Sequence, residues 1–250
     1  MYRGFQIKNT TIINKNALAL KYDATHKHFL NNIHSNFVDN LEDFLIDRNI
    51  FNGETLMKSW FPSDIKFDIF ISHSHRDETL VKAMAYKLKK DFGLRCFIDS
   101  CIWGYVEDLR DNIINYNNQL QHPLSEEQIS QNIYIMLNSS LQQAMRNSEC
   151  LFFLNTPNSI LPLNSNNATT YSPWLLSEIS MFNNMVKEFP SRTTHLLESN
   201  FSAFEYKLDL SGLINLTADD LNNWVDNHEQ NRNALDELYE TFPLPKRNLI

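Results

Sequence analysis

The sequence predicts an α/β fold built on a parallel sheet, and three observations carry that prediction. The segment Phe67-Asp68-Ile69-Phe70-Ile71 is almost continuously apolar, with Asp68 its one interruption. A strand of that kind suits a sheet covered on both faces better than a half-exposed antiparallel one. It runs into a polar loop, Ser72-His73-Ser74-His75-Arg76, and then into a helix. Strand and helix patterns then alternate along the chain, and such alternation gives parallel strands joined by right-handed crossovers.

Taken in order, Ala24 to Asp47 reads as an amphipathic helix, with Phe29, Leu30, Ile33, Phe37, Leu41, Phe44 and Leu45 on one face. That face packs either on the domain itself or on another chain. Trp60-Phe61-Pro62-Ser63-Asp64 reads as a hinge into the first strand. After that strand, Ser74 followed by Asp77 has the spacing of a helix cap, and Asp77 and Glu78 complement the helix dipole. Glu78 to Phe92 turns Leu80, Val81, Met84, Leu88 and Phe92 inward, and Gly93 is its stop signal. Leu94 to Ile98 is the second strand, ending at Asp99, and Tyr105 to Tyr116 looks helical. Residues 117–125 form an irregular insertion before a helix from Ile129 to Arg146 and a third strand from Cys150 to Leu154.

The loop from Pro157 to Tyr171 is long and rich in Asn and Ser, the profile of a functional lid or a mobile segment. A helix follows from Pro173 to Val186, with Ser172 as N-cap, Pro173 in the first helical position and Tyr171 placed to staple onto Leu176. Thr194 to Leu197 and part of Tyr206 to Leu216 supply the fourth and fifth strands. Thr217 caps a closing amphipathic helix marked by Leu221, Trp224, Val225, His228, Leu235 and Leu238.

Composition narrows the function classes. A net charge of −8 and a pI near 5.5 imply no basic surface and hence no nucleic-acid partner, although one pocket can still hold a local positive patch. The first residues lack the apolar run of a signal peptide, and no later stretch has the length to span a bilayer, so a cytoplasmic protein with no membrane partner is expected. Cys96, Cys101 and Cys150 are odd in number and none falls in a Cys-x-x-Cys pair, which argues against a disulfide framework or a zinc site. His73-Ser74-His75 and His26-Lys27-His28 lack the ligand spacing of a metal centre. With only 5 Gly and no Gly-rich phosphate loop, any nucleotide is bound by another device.

Four stretches, in order, resemble a known family. Phe67-Asp68-Ile69-Phe70-Ile71-Ser72-His73-Ser74, then Gly93-Leu94-Arg95-Cys96-Phe97-Ile98-Asp99 with Trp103-Gly104, look like the first half of a bacterial TIR (Toll/interleukin-1 receptor) domain. Ser148-Glu149-Cys150-Leu151-Phe152-Phe153-Leu154-Asn155-Thr156 resembles its third strand, and Ser172-Pro173-Trp174-Leu175-Leu176-Ser177-Glu178-Ile179 its Trp-x-x-x-Glu helix. The resemblance covers roughly Ile65 to Glu240. It implies a flavodoxin-like, five-stranded parallel sheet over residues 65–250, with residues 1–64 as an N-terminal helical extension.

The resemblance also implies an activity. Trp174 and Glu178 lie on one face of a helix, a spacing that by itself favours a core Trp followed by a solvated Glu. In enzymatic TIR domains the Glu of this motif is the catalytic residue for cleaving NAD⁺, a substrate rather than a cofactor. One carboxylate suffices for that chemistry. Ordinary glycosidases need a second to protonate the leaving oxygen, whereas nicotinamide leaves NAD⁺ already neutral. Glu178 would then oppose the developing ribosyl cation, with Trp174 helping to exclude water. Phe70, Ser72 and His73 at the end of the first strand, and Asp99, Trp103 and Tyr105 after the second, are the candidate substrate-binding residues. For Ser72 and Trp103, capping and packing are the alternative roles.

Stand-alone bacterial TIR proteins of this type often belong to anti-phage defence systems such as Thoeris. The resemblance therefore implies self-association through TIR–TIR contacts, a phage-derived trigger and a downstream effector that senses an ADP-ribose-derived signal, whether a cyclic isomer or a conjugate. The alternatives are an NAD⁺-depleting effector, a non-enzymatic TIR–TIR adaptor and a nucleoside deoxyribosyltransferase-like enzyme.

Overall fold

Five parallel strands form the centre of the protein, and their order explains where its polar residues gather. The computed structural model describes residues 1–8, 10–34, 41–47, 50–60, 65–120, 123–160, 168–187, 210–227 and 234–243. In chain order the elements are β1 (Arg3–Lys8), α1 (Lys15–His34), a short hairpin of β2 (Leu45–Asp47) and β3 (Ile50–Phe51), α2 (Gly53–Trp60), β4 (Phe67–Ser72), α3 (Glu78–Phe92), β5 (Cys96–Ile98), α4 (Ser100–Asn117), α5 (Glu126–Arg146), β6 (Ser148–Asn155), α6 (Pro173–Asn184), β7 (Leu213–Leu216), α7 (Ala218–Asn227) and α8 (Ala234–Thr241). The main sheet runs β5-β4-β6-β1-β7, every neighbouring pair parallel. The fold is α/β and flavodoxin-like, as the sequence predicts.

Both faces of the sheet are covered, and side chains alternate between two apolar layers. Cys150, Phe152 and Leu154 of β6 join Ile69 and Ile71 of β4 in a layer with α3, α7 and α8. Leu151 and Phe153 enter the opposite layer with Phe70, Phe97 and residues of α4, α5 and α6. Double burial explains why β4 and β6 read as unbroken apolar runs.

The source of one strand differs from expectation. Residues 1–64 do not simply precede the sheet: Arg3 to Lys8 lie in register with Cys150 to Asn155 on one side, and Gly4 to Ile7 with Leu213 to Leu216 on the other. Arg3 conceals the strand in the sequence. Its guanidinium, 1% exposed, donates to the carbonyls of Tyr239 (2.6 Å) and Phe242 (2.9 Å) and lies over the rings of Tyr2 and Tyr239. The carbonyls at the end of α8 thus offset the desolvation of a buried cation. Gly4 is closely covered: a Cβ there would stand 2.5 Å from both Leu213 Cδ2 and Phe182 Cζ, so those side chains would have to shift. The expected fourth strand, Thr194 to Leu197, lies outside the described residues; β1 occupies the place between β6 and β7.

Helix boundaries shift where caps decide them. The helix expected over 24–47 begins instead at Lys15, after Asn14 in the left-handed region (φ 59°), and packs along α3; Leu41–Phe44 is a short 3-10 turn and Leu45–Asp47 a strand. The helix expected from Ile129 begins at Glu126, because Ser125 and Gln128 form a reciprocal capping box. The helix expected from Tyr105 begins at Ser100, directly after Asp99. The single closing helix is two, α7 and α8, and residue 228 lies outside the described residues. Thr217 and Asp220 cap α7 reciprocally. Ser172 accepts from the Leu175 amide at 3.3 Å as expected, whereas Tyr171 stands 84% exposed and does not staple onto Leu176.

Gly93 ends α3 at φ 71°, with its amide bonded back to Lys89. Gly93→Ala is expected to lower stability by about 1–2 kcal/mol, the cost of a side chain in the left-handed region. Thermal denaturation checks this, and an unchanged melting temperature would refute it. Among the described residues no helix is long and apolar enough to cross a membrane.

Candidate functional site

The sheet order brings the ends of β4 and β5 together under α6. On that helix Leu175, Ile179 and Phe182 are buried at helical spacing, and Glu178 shares their inward face. A carboxylate on an apolar face needs a partner, and the end of β4 supplies one. Ser72 Oγ donates to Glu178 Oε2 at 2.5 Å. Glu178 is 1% exposed and Ser72 is fully buried.

Two further polar residues extend the cluster. Asp99, buried at the end of β5, lies within hydrogen-bonding and coulombic reach of Glu178. Burial first, and then the charge of Asp99, push the Glu178 carboxyl well above the usual carboxylate range, while the Ser72 hydrogen bond pulls the other way. His73 follows Ser72. Its Nδ1 lies 3.2 Å from the Ile71 carbonyl and 3.2 Å from Asp99 Oδ1, and its Nε2 lies 3.0 Å from Ser100 Oγ. The sequence singles out Glu178, Ser72, His73 and Asp99, and the structure brings these four together. Ser100 it overlooks, although a polar pair, Asp99-Ser100, directly after an apolar strand is a readable signal.

Other expected residues lie elsewhere. Phe70 is not at the site: it is fully buried and stacks on Phe97, with ring centroids 5.1 Å apart. The alternation of β4 explains this, since Phe70 points into one core layer. Trp174 is half-buried against that same layer. Trp103 and Tyr105 fall on helix α4 rather than on a loop, and their side chains lie outside the described residues. Asp77 makes no side-chain cap to α3. Its carboxylate accepts instead from Thr156 Oγ1 (2.5 Å) and Asn158 Nδ2 (2.7 Å), which ties the start of the loop after β6 to the start of α3. Ser159 Oγ bonds the Leu154 carbonyl, so the first turn of the expected lid is pinned to the sheet, while 161–167 lie outside the described residues.

The cluster can hold hydroxyl donors and oppose positive charge. Glu178 Oε1 and Asp99 Oδ1 are buried and receive no N–H or O–H donor within hydrogen-bond geometry, although the two carboxyls lie within reach of each other and a proton on Glu178 can bridge them. Buried acceptors left open are costly, and they concentrate where a ligand is to be met. The thiols offer no competing nucleophile, since burial pushes Cys101 up to about 12 and Cys96 higher still. Among the described residues no group of three His, Cys, Asp or Glu side chains is placed to hold a metal ion. Comparison with family models, curated proteins and solved structures returns no match for this chain.

Proposed function

We propose that the protein is a TIR-type enzyme that breaks the nicotinamide glycosidic bond of cytoplasmic NAD⁺. One observation carries the reading: Glu178 sits buried on an apolar helix face at the carboxyl edge of a parallel sheet, held by Ser72 and crowded by a second buried carboxyl, Asp99. In an open α/β sheet that edge is where ligands bind. Two neighbouring carboxyls repel when both ionise, so a proton is retained until a cation arrives. The pyridinium ring of NAD⁺ is such a cation, and the ribosyl cation left behind keeps the charge at the site. Interactions that strengthen as that charge develops accelerate the cleavage.

The product is proposed to be an ADP-ribose-derived signal, a cyclic isomer or a conjugate, sensed by a downstream effector in anti-phage defence. The length of the 157–171 loop before the helix that carries Glu178 motivates this, because a lid over a site excludes bulk water and favours a chosen hydroxyl. Self-association through TIR–TIR contacts completes the site, and a phage-derived trigger promotes it.

Incubating the pure protein with NAD⁺ and resolving the products by mass tests the reading. Nicotinamide and an ADP-ribose-derived product are expected, with specific activity rising with protein concentration. Free ADP-ribose as the sole partner of nicotinamide, even in cell lysate with the trigger present, would indicate a depleting enzyme instead. No nicotinamide under any of these conditions would overturn the reading and leave the adaptor or the deoxyribosyltransferase-like enzyme.

A further inference from the structure

We propose that Ser100, His73 and Asp99 form a proton relay that activates the hydroxyl nucleophile in this cleavage. The inference rests on the reading of Glu178 given above, and it assigns the step that follows loss of nicotinamide.

The hydrogen-bond network fixes the direction of the relay. His73 is 4% exposed, and each ring nitrogen meets a set partner. Nδ1 lies 3.2 Å from the Ile71 carbonyl. A carbonyl only accepts, so the network assigns the hydrogen of the neutral ring to Nδ1. Nε2 then carries the lone pair, and Ser100 Oγ, 3.0 Å away, donates to it. Asp99 Oδ1 lies 3.2 Å from Nδ1, on the side of the ring opposite the accepting nitrogen, where its charge faces the Nδ1 hydrogen. A base with a hydroxyl at one nitrogen and a carboxylate beside the other is the arrangement that lets a hydroxyl shed its proton.

The topology places this relay at the reacting carboxylate. Ser100 opens α4 at the end of β5 and bonds His73, whose neighbour Ser72 holds Glu178 at 2.5 Å. When nicotinamide leaves, the bond from C1′ to the pyridinium nitrogen breaks and its electron pair goes with the ring. The incoming hydroxyl oxygen bonds to C1′. Its proton passes to Ser100 Oγ as Ser100 hands its own to His73 Nε2, and the imidazolium faces Asp99 until the proton is lost to solvent. NAD⁺ and one hydroxyl compound thus give nicotinamide, the ribosylated product and one proton.

Base exchange separates this step from bond cleavage. A pyridine such as 3-acetylpyridine attacks C1′ through a nitrogen that carries no proton, so it bypasses the relay. Wild type, Ser100→Ala and Ser100→Thr are each incubated with NAD⁺ and 3-acetylpyridine, and exchange and hydroxyl-derived products are quantified by mass. Ser100→Ala should lower hydroxyl-derived products relative to exchange by about 10²-fold, and Ser100→Thr should restore most of the ratio. Exchange in the same tube reports a folded site. An unchanged ratio in Ser100→Ala overturns the relay and leaves the Glu178 reading standing. Loss of both products by Ser100→Ala while Ser100→Thr keeps both marks a structural role and also overturns it. Wild-type protein that neither exchanges nor cleaves overturns both readings.

Discussion

Glu178→Gln is expected to lower NAD⁺ cleavage by about 10²–10³-fold, the usual effect of removing one preorganised electrostatic group, and at the same time to raise thermal stability at neutral pH. The amide keeps the size of the side chain and can still accept from Ser72 Oγ, while its new N–H can donate toward Asp99. What it loses is the anion. The stability effect follows from the raised pKa of Glu178, caused first by burial and then by Asp99. Below the unfolded-state value both states hold the proton, and the wild type suffers no penalty. As pH rises above it the unfolded chain ionises first and binds fewer protons than the folded one, so wild-type stability falls until the folded value is passed.

Glutamine does not titrate, so the variant's advantage should open as pH rises above the ordinary carboxylate range. It should reach about 1–3 kcal/mol, the scale of a buried polar atom left unsatisfied. Activity should show the complementary trend, with kcat/KM of the wild type rising with pH as free Glu178 ionises. Melting curves and initial rates over one pH series measure both. A folded Glu178→Gln protein with near-normal turnover would remove this residue from the mechanism. A variant less stable than wild type at every pH would mean the carboxylate is a structural partner and not a strained one.

The second large effect concerns the N-terminus. A chain beginning at residue 65 is expected not to fold, because β1 is hydrogen-bonded on both sides within the sheet. Its removal would strip β6 of one of its two neighbouring strands and β7 of the strand it pairs with, and expose apolar side chains packed on Phe5 and Ile7. Phe5→Ala alone should cost about 3–5 kcal/mol, a large share of the 5–15 kcal/mol that holds a typical domain together. Phe5 is fully buried, with its ring edge-on to Phe152 and stacked with Tyr239. Circular dichroism and thermal melting of the fragment decide the matter. A residue 65–250 fragment that melts cooperatively at the full-length temperature would show that β1 is dispensable.

How much of this was legible in the sequence varies with the range of the interaction. β4 and β6 announced themselves because burial on both faces leaves few polar positions within a strand. Helix α3 was bounded correctly by its apolar spacing and by Gly93, both local signals. Helix α5 began earlier than read, since Ser125, Glu126, Glu127 and Gln128 look like loop until seen as a capping box. Asp77 also looked local, but its side chain turned away from the helix to Thr156 and Asn158. Cap spacing states what a side chain is able to do, and the tertiary fold offered it a competing pair of donors.

The sequence by itself determined the parallel α/β class, the helix carrying Trp174 and Glu178, and the strand ends bearing Ser72, His73 and Asp99. Each of these is written in short-range periodicity or in the polar residues that close an apolar run. Only the tertiary structure decided that Arg3–Lys8 enters the sheet, that Phe70 belongs to the core and that Ser100 belongs to the cluster. Parallel strands choose partners far away along the chain, and no local pattern encodes that choice. Ser72 and Glu178 are 106 positions apart, and His73 and Ser100 are 27 apart. Their meeting depends on the order β5-β4-β6-β1-β7 and on the packing of α6, whose buried apolar residues carry Glu178 inward with them.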